Sequence, residues 1–336
     1  MDYTEHTRGL PDLSILIVSF NTRELTLACL SSIYDEKLET SIETLVWDNA
    51  STDGTVEAIR SEFPGVTLVA SDDNLGFGCA NNELARVATA GHLLLLNPDT
   101  LVLPGSIDSM MRFVMENPDA SLVGGRTLNP DGSLNLGSCW RRPNLWSLTC
   151  VALGLSRLFP QSSLLNPEAM PGWRRDYVRH VDIVSGCLLL IDSDLWAKLS
   201  GFDPIFFMYG EDADLCTRAG YLGERAVLTP DVEIVHHGGA SEPVRAGRMT
   251  RLLTGKAQYI ARHWGVRRAK IGLRLIDAWP LLRLIIFVCL YPFNSRCKSG
   301  AATWRQVWAA RLEWRRAFWG SLAKGQGQYG AGPGAG

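Results

Sequence analysis

No Cys-x-x-Cys pair occurs among the eight cysteines, at positions 29, 79, 139, 150, 187, 216, 289 and 297. Most stand in apolar runs such as Ser-Gly-Cys-Leu-Leu-Leu at 185–190, so buried reduced thiols are expected rather than disulfides or zinc. No Gly-x-x-x-x-Gly-Lys-Ser/Thr run is present, which excludes the P-loop route to ATP or GTP hydrolysis. The first apolar run ends in Ser19-Phe20-Asn21 without a glycine-rich turn, and Gly76-Phe77-Gly78 follows only the third run. That order argues against nicotinamide or flavin binding. The most apolar segment, 271–293, is interrupted by Arg274, Asp277, Pro280 and Arg283. Its longest unbroken part, 284–293, falls short of the roughly 20 residues of a spanning helix. Residues 1–12 are polar and include Asp2, Glu5 and Pro11, so no secretory leader is expected and the N-terminus should stay in the cytosol.

What is present is an ordinary globular balance, 46% hydrophobic and 20% charged over 336 residues. That suits one large α/β domain with an appendage, or two modest domains. The net charge of −2 hides an asymmetry. Residues 256–336 carry 14 Lys and Arg against two acids, Asp277 and Glu313, so a tail of +12 follows a body of −14. Such a tail is expected to meet an anionic surface, membrane or nucleic acid.

Short β-rich runs at 13–20, 43–48, 66–70 and 92–96 alternate with helical patterns. Thr22 can cap the first helix, which carries Leu25, Leu27, Leu30 and Ile33. A second helix is expected from about 55 to 63 and a third from the 75–82 segment to about 89. This alternation predicts a doubly wound, mostly parallel sheet whose ligands bind beyond the carboxyl ends of its strands. Ser19, Asn21, Asp48, Asn49, Ser51, Asp53, Asn74, Asn97 and Asp99 fall at those ends.

Two of these carry a definite chemistry. Asp48 can accept the imide N–H of uracil or thymine, or it is a solvated turn residue before Asn49-Ala-Ser-Thr-Asp-Gly54. Asp99, in Asn97-Pro98-Asp99, is a type I turn residue or a hard-oxygen ligand for Mg²⁺ or Mn²⁺ facing a diphosphate. Further on, Glu211, Asp212 and Asp214 share the first turn of an expected helix, where the helix dipole alone would explain acids. Alternatively one of them is a general base, its proton affinity raised by crowding. His236 and His237 end an apolar run, beside Gly238, Gly239 and Ser241; neighbours on a strand face opposite ways, so only one can reach a given site.

Ser19-Phe20-Asn21, Trp47-Asp48-Asn49-Ala50-Ser51-Thr52-Asp53-Gly54, Asn74-Leu75-Gly76-Phe77 and Asn97-Pro98-Asp99 occur in the order and spacing of glycosyltransferase family 2. The chain resembles its rhamnosyltransferase-like members over about residues 12–245. The resemblance implies the GT-A fold, an α/β architecture, and an inverting, metal-dependent sugar transfer from a nucleotide-diphosphate donor. It places the donor at Ser19, Asn21, Asp48, Asn49, Ser51, Asn74, Gly76, Asn97 and Asp99, and Mg²⁺ or Mn²⁺ at Asp99 and His236. The family's metal motif is often two acids one residue apart; here Asn97 stands in the first position and Asp99 in the second. Glu211-Asp-Ala-Asp214 resembles the family's Glu-Asp-x-Asp signature, which makes Asp212 the base and Glu211 and Asp214 organisers of the acceptor pocket. By the same resemblance dTDP-rhamnose is the favoured donor, with UDP-sugars next. The acceptor is a polyprenyl-diphosphate-linked saccharide of a bacterial envelope polymer, met at the cytoplasmic face of the membrane.

Two rivals are weighed. A nucleotidyltransferase would show a glycine-rich basic loop after the first strand, where Ser19-Phe-Asn-Thr-Arg-Glu24 stands. A non-catalytic sugar- or lipid-binding scaffold would not need Asp99, Asp212 and a nearby His intact. Elsewhere, 124–132 reads as a hairpin turning at Pro130-Asp131-Gly132, and 139–177 as a partly mobile, acceptor-covering loop of little periodicity. Residues 301–322 space Trp304, Trp308, Trp314 and Trp319 among arginines, which suits a helix lying in a membrane interface; a helix packed on the catalytic domain is the alternative. Nucleic acid is disfavoured as a partner, because no recognition fold accompanies the charge. The expected divisions are an extension at 1–11, a catalytic domain at 12–245, a basic helical region at 246–324 and a disordered tail at 325–336.

Overall fold

The computed structural model describes residues 9–238, 244–291 and 297–325. Residues 1–8 of the expected extension, residues 326–336 of the expected tail, and Gly239 and Ser241 beside the His pair lie outside the described residues. The first half alternates as its apolar runs predict: β1 (Leu13–Ser19), α1 (Arg23–Tyr34), β2 (Ile42–Asn49), α2 (Thr55–Glu62), β3 (Thr67–Ser71), α3 (Gly76–Val87) and β4 (His92–Leu96). The chain continues through β5 (Thr100–Val102), α4 (Ser106–Glu116), β6 (Leu122–Leu128), β7 (Cys139–Trp140), α5 (Leu145–Leu153) and α6 (Leu155–Leu158). Next come β8 (Arg179–His180), β9 (Ile183–Val184), β10 (Leu188–Asp192), α7 (Ser193–Leu199), α8 (Glu211–Tyr221) and β11 (Val227–His236). Last are α9 (Arg245–His263), α10 (Val266–Leu290), α11 (Cys297–Ala309) and α12 (Arg311–Gly325).

Two compact units divide the chain. Residues 1–140, 174–204 and 215–241 form the first, and residues 141–173, 205–214 and 242–336 the second. Segments 141–173 and 205–214 fall in the second unit with the C-terminal helices. In the first unit, among the described residues, one sheet runs β3-β2-β1-β4-β10-β6-β11-β5, with β8 on β11. β3, β2, β1 and β4 are parallel, while β10 enters antiparallel between β4 and β6. Ser19 pairs with Asp48 and Ile17 with Leu96, so Ser19, Asp48 and Asn97 leave the sheet along one edge. β5 returns antiparallel to β11 and sets His236 opposite Thr100.

The pleat of β1 explains how both sheet faces are covered. Leu13, Ile15 and Ile17 join a buried cluster with Cys29, Leu30 and Ile33 of α1 and Ile107, Met110 and Val114 of α4. Leu16, equally buried, points the other way, and α3 packs on β1 and β2 through a helix whose buried Ala80 and Leu84 stand outside that cluster. Each such fully buried aliphatic side chain stabilises by about 1.5–3 kcal/mol. All eight cysteines are free thiols, six of them buried. The hairpin turn at 130–132 is present, closed by Asn129 N–H to the Ser133 carbonyl and a Leu128–Leu134 bridge.

In the second unit α9 packs on α10, α11 and α12, and α5 packs on α10. The charged interruptions of the apolar run have structural partners there. Asp277 accepts from Trp314 Nε1 at 2.9 Å and pairs with Arg315 at 2.9 Å, tying α12 to α10. Arg283 donates to the carbonyls of Val151 and Ala152 at the end of α5, both at 2.9 Å. The segment 139–177 is thus not an irregular loop. Asn144 and Ser147 form a reciprocal capping box that starts α5, a signal within a stretch whose Trp and Pro content masks its periodicity. Nor is 301–322 one interfacial helix: it breaks at Ala310, and Trp304 and Trp314 are buried inside the unit, leaving Trp319 half exposed.

Candidate active site

The loops after β1 and β2 are laced to each other. Asn21, held at a left-handed φ of 50°, accepts the Thr52 N–H through Oδ1 at 2.8 Å, while its own N–H donates to Ser51 Oγ at 2.8 Å. Asp53 accepts the Arg23 N–H at 2.9 Å and the Thr55 N–H at 3.2 Å, so it serves the starts of both α1 and α2. Burial lifts the Asp53 pKa, but the Thr55 hydroxyl and these N–H groups more than offset it and hold the carboxyl below its usual range. Thr22 is at the cap position of α1 but makes no side-chain cap bond. Its hydroxyl joins those of Ser19 and Thr26, at 3.2 and 3.1 Å, and Asp53 does the capping instead.

Ser19 is fully buried and faces that hydroxyl cluster, so it braces the loop and offers no surface to a ligand. Asn49 is a brace as well. Its Oδ1 accepts from Trp47 Nε1 and from the Leu75 N–H, and its Nδ2 donates to the Gly76 carbonyl. Asn74 Oδ1 takes the Gly76 N–H at 2.9 Å, which fixes the start of α3 where Gly76 turns with φ 79°. Asp48 behaves differently. Its Oδ1 accepts the Ser51 N–H at 2.8 Å, but Oδ2 is buried and accepts no hydrogen bond. An unsatisfied buried acceptor costs about 1–3 kcal/mol, more when charged, which marks Oδ2 as a place for a ligand's donor.

The antiparallel pairing of β5 with β11 brings Asp99 and His236 together. Asp99 Oδ1 lies 3.1 Å from His236 Nε2, with the carboxylate 6% and the imidazole 19% exposed. His237 is exposed, and its backbone N–H donates to the Asp99 carbonyl at 2.9 Å. Of the two histidines, His236 is the one that meets Asp99. Burial disfavours the imidazolium, yet the hydrogen bond to Asp99, with a smaller contribution from the Cys187 sulfur, lifts the His236 pKa to about 10. Asn97 is half-buried; its N–H donates to the Cys187 carbonyl and its own carbonyl accepts from the Thr100 hydroxyl.

The three acids of α8 separate into three environments. Asp214 is fully buried, 2.8 Å from Nε2 of His263, itself 2% exposed. Glu211 is buried with Oε2 accepting nothing; desolvation first, then the charges of Asp212 and Asp214, push its pKa up to about 8. Asp212 is half-buried and accepts the Ala213 N–H at 2.7 Å. The turn before them is tight, with Tyr209 at φ 71° and Gly210 at φ 99°. It presses on α9 so closely that a Cβ at Gly255 would collide with the Tyr209 carbonyl oxygen.

Residues 14–181 match the family described as Glycosyl transferase family 2. The chain belongs to glycosyltransferase family 2. The N-acetylglucosaminyl-diphospho-decaprenol L-rhamnosyltransferase of Mycobacterium tuberculosis is 32% identical over 227 residues, 59% of this chain and 67% of that protein. Rhamnosyltransferase WbbL of Escherichia coli is 26% identical over 191 residues, 54% of this chain and 68% of its relative. Among solved structures, the mannosyltransferase PcManGT of Pyrobaculum calidifontis, in complex with GDP-Man and Mn²⁺, superposes with a TM-score of 0.53 at 18% identity. That match covers 90% of this chain and 87% of the other. GalNAc-T7 with UDP, GalNAc and Mn²⁺ gives 0.56 at 14% identity, over 80% of this chain and 51% of its own. At these identities the structures establish the fold, and the mixed sheet is that of a GT-A glycosyltransferase.

Two features of the site were not visible in its motifs. His263, the partner of Asp214, sits 49 residues away at the end of a basic helix, and no local pattern ties the two. The unpartnered oxygen on Asp48 is a tertiary fact, although the apolar strand before it did mark the position.

Proposed function

We propose that this glycosyltransferase moves L-rhamnose from dTDP-rhamnose, with inversion at the anomeric carbon, onto a polyprenyl-diphosphate-linked saccharide in bacterial envelope polysaccharide synthesis. The likeness to the M. tuberculosis L-rhamnosyltransferase and to WbbL supports the sugar and the lipid-linked acceptor. The observation that carries the donor side is the pair of carboxylates beyond the strands. Asp48 Oδ2 is a free buried acceptor for the imide N–H of a thymine or uracil, and Asp99 stands with His236 for a diphosphate. Asn21, Ser51, Asn74 and Gly76 shape the loops around the donor, Asn97 leads into the Asp99 turn, and Ser19 and Asn49 hold these loops from behind.

The donor set fits a divalent cation. Asp99 supplies a hard oxygen and His236, on giving up its proton, an imidazole, and among the described residues no group of three or more His, Cys, Asp and Glu is placed to hold a metal ion. The rest of the shell would fall to diphosphate oxygens and water, an arrangement that suits Mg²⁺ or Mn²⁺. When bound there, such an ion offsets the charge that grows on the leaving diphosphate. Asp212 takes the proton of the acceptor hydroxyl as it attacks, the role of a general base. Glu211 keeps its proton at neutral pH and can donate a hydrogen bond to the acceptor, while Asp214, anchored by His263, fixes the turn that carries both. No group in this scheme forms a covalent sugar intermediate, which is why inversion is expected.

The acceptor class brings the enzyme to the cytoplasmic face of the membrane as a peripheral protein. Among the described residues no helix is long and apolar enough to cross a membrane. A panel of nucleotide sugars, each tested with Mn²⁺ or Mg²⁺ for thermal stabilisation and then for transfer to a prenyl-diphosphate-linked N-acetylglucosamine, tests the reading. Stabilisation grows as RT ln(1 + [L]/Kd), so dTDP-rhamnose should give the largest shift and the transferred product. A larger shift and transfer with a UDP-sugar would replace the donor and favour a different glycan acceptor.

A further inference from the structure

The second unit carries an apolar surface assembled from two segments far apart in sequence. At the end of α10, Ile285, Ile286, Val288 and Leu290, with Tyr291 just beyond, are 43–49% exposed within seven residues. Around α5 and α6, Leu153, Leu158 and Phe159 are 50–70% exposed. Arg283 joins the two. Its guanidinium holds the last carbonyls of α5, one turn before Ile286 on the same helix, and its charge feels Arg157 of α6. Soluble surfaces scatter their large apolar side chains singly, so a cluster like this marks an interaction site.

The geometry points to insertion of this surface, the end of α10 together with the α5–α6 corner, into the headgroup layer of an anionic lipid bilayer. Charge selects the occupant. The second unit holds 20 Lys and Arg against seven Asp and Glu, and three of those acids are already paired, Glu168 with Lys256, Asp214 with His263 and Asp277 with Arg315. Lys298, Arg305 and Arg316 are among its exposed cations. Each basic residue near an anionic leaflet adds to attraction that decays within a Debye length, while apolar burial persists in salt. Two of the spaced tryptophans, Trp304 and Trp314, do not supply that burial, since they are enclosed in the helical unit. Α10 lies in the interface rather than crossing it, as its charged and proline interruptions require.

This assignment rests on the reading of the chain as a peripheral membrane enzyme, and one experiment separates the two. The full-length protein is sedimented with vesicles rich in phosphatidylglycerol, and with phosphatidylcholine vesicles, at low salt and at about 1 M salt, where the Debye length is about 3 Å. Wild type should bind the anionic vesicles and be released only in part by salt. Two double variants, Ile285→Glu with Ile286→Glu and Leu158→Glu with Phe159→Glu, should each lose about 10-fold or more of the salt-resistant binding. Both should keep wild-type donor-induced thermal stabilisation, which reports that they fold. Wild type that ignores anionic vesicles overturns the membrane reading and this surface with it. Wild type that binds while both folded variants bind equally well overturns the surface alone. So does a wild-type dimer that either variant converts to a monomer without loss of vesicle binding, since a second copy then covers the patch.

Discussion

The sheet unit carries 13 Lys and Arg against 28 Asp and Glu, a charge of −15, while the helical unit carries 20 against seven, a charge of +13. A net charge of −2 for the whole chain conceals two surfaces of opposite character. The two units manage carboxylates in opposite ways. The sheet unit has many and leaves one, Asp48, with an oxygen unsatisfied at a strand end. The helical unit has few and buries or pairs most of them, and the buried Glu211 holds on to its proton. A carboxylate with an unsatisfied buried oxygen and a carboxylate tied into a helix bundle should respond differently to substitution.

The largest expected effect breaks the helical side: His263→Ala removes the 2.8 Å partner of Asp214 in a fully buried site, which should cost about 3–5 kcal/mol of stability and lower the denaturation midpoint accordingly. A change below about 1 kcal/mol would show that the pair does not anchor the α8 turn. On the sheet side, Asp99→Ala should lower transfer about 10²–10³-fold with little change in melting temperature, and EDTA should do the same to wild type. Undiminished turnover in EDTA would remove Asp99 and His236 from any metal role. Next in size, Asp48→Ala should raise donor KM by about 10- to 100-fold, the scale of one lost hydrogen bond to a charged acceptor, with kcat nearly unchanged. An unaltered KM would return Asp48 to a plain turn residue.

A further effect concerns Glu211 and pH. Its folded pKa of about 8 lies above the ordinary 4.5, so between those values the folded state holds a proton that the unfolded chain has released. Its contribution to stability is therefore fully present below about pH 4.5, falls as pH rises, and becomes a full cost above about pH 8. Glu211→Gln should leave stability unchanged near pH 4 and raise the melting temperature at pH 9, by about 2–4 °C for each kcal/mol relieved. A melting curve with the same pH dependence as wild type would mean that Glu211 is ionised in the folded protein.

The units also differ in how much of them could be read beforehand. In the sheet unit apolar runs separated by polar turns led directly to β1 through β4; β1 and β4, parallel strands buried on both faces, are the continuously apolar ones. The register of those strands sets Ser19, Asp48 and Asn97 along one edge of the sheet. The antiparallel β10 has the same apolar signature as its parallel neighbours, so its direction was not legible. In the helical unit the readings failed for a common reason: tertiary partners override local pattern. Arg283 and Asp277 look like interruptions of an apolar helix and are in fact its ties to α5 and α12. Trp304 and Trp314 look amphipathic in sequence and are core. Thr22 has the right chemistry for a cap, but Asp53 reaches the helix start first from a loop 30 residues away. The acid cluster was located by its spacing, yet only burial and His263 distinguish its three members.

That distinction is where the account stands or falls, and one variant examines it. In Asp212→Asn, donor affinity and turnover are measured side by side, with dTDP-rhamnose and a prenyl-diphosphate-linked acceptor. The account predicts a donor Kd within about twofold of wild type and a kcat at least about 10²-fold lower, the signature of a lost general base. Turnover retained in Asp212→Asn, with the loss appearing in Glu211→Gln instead, would contradict it.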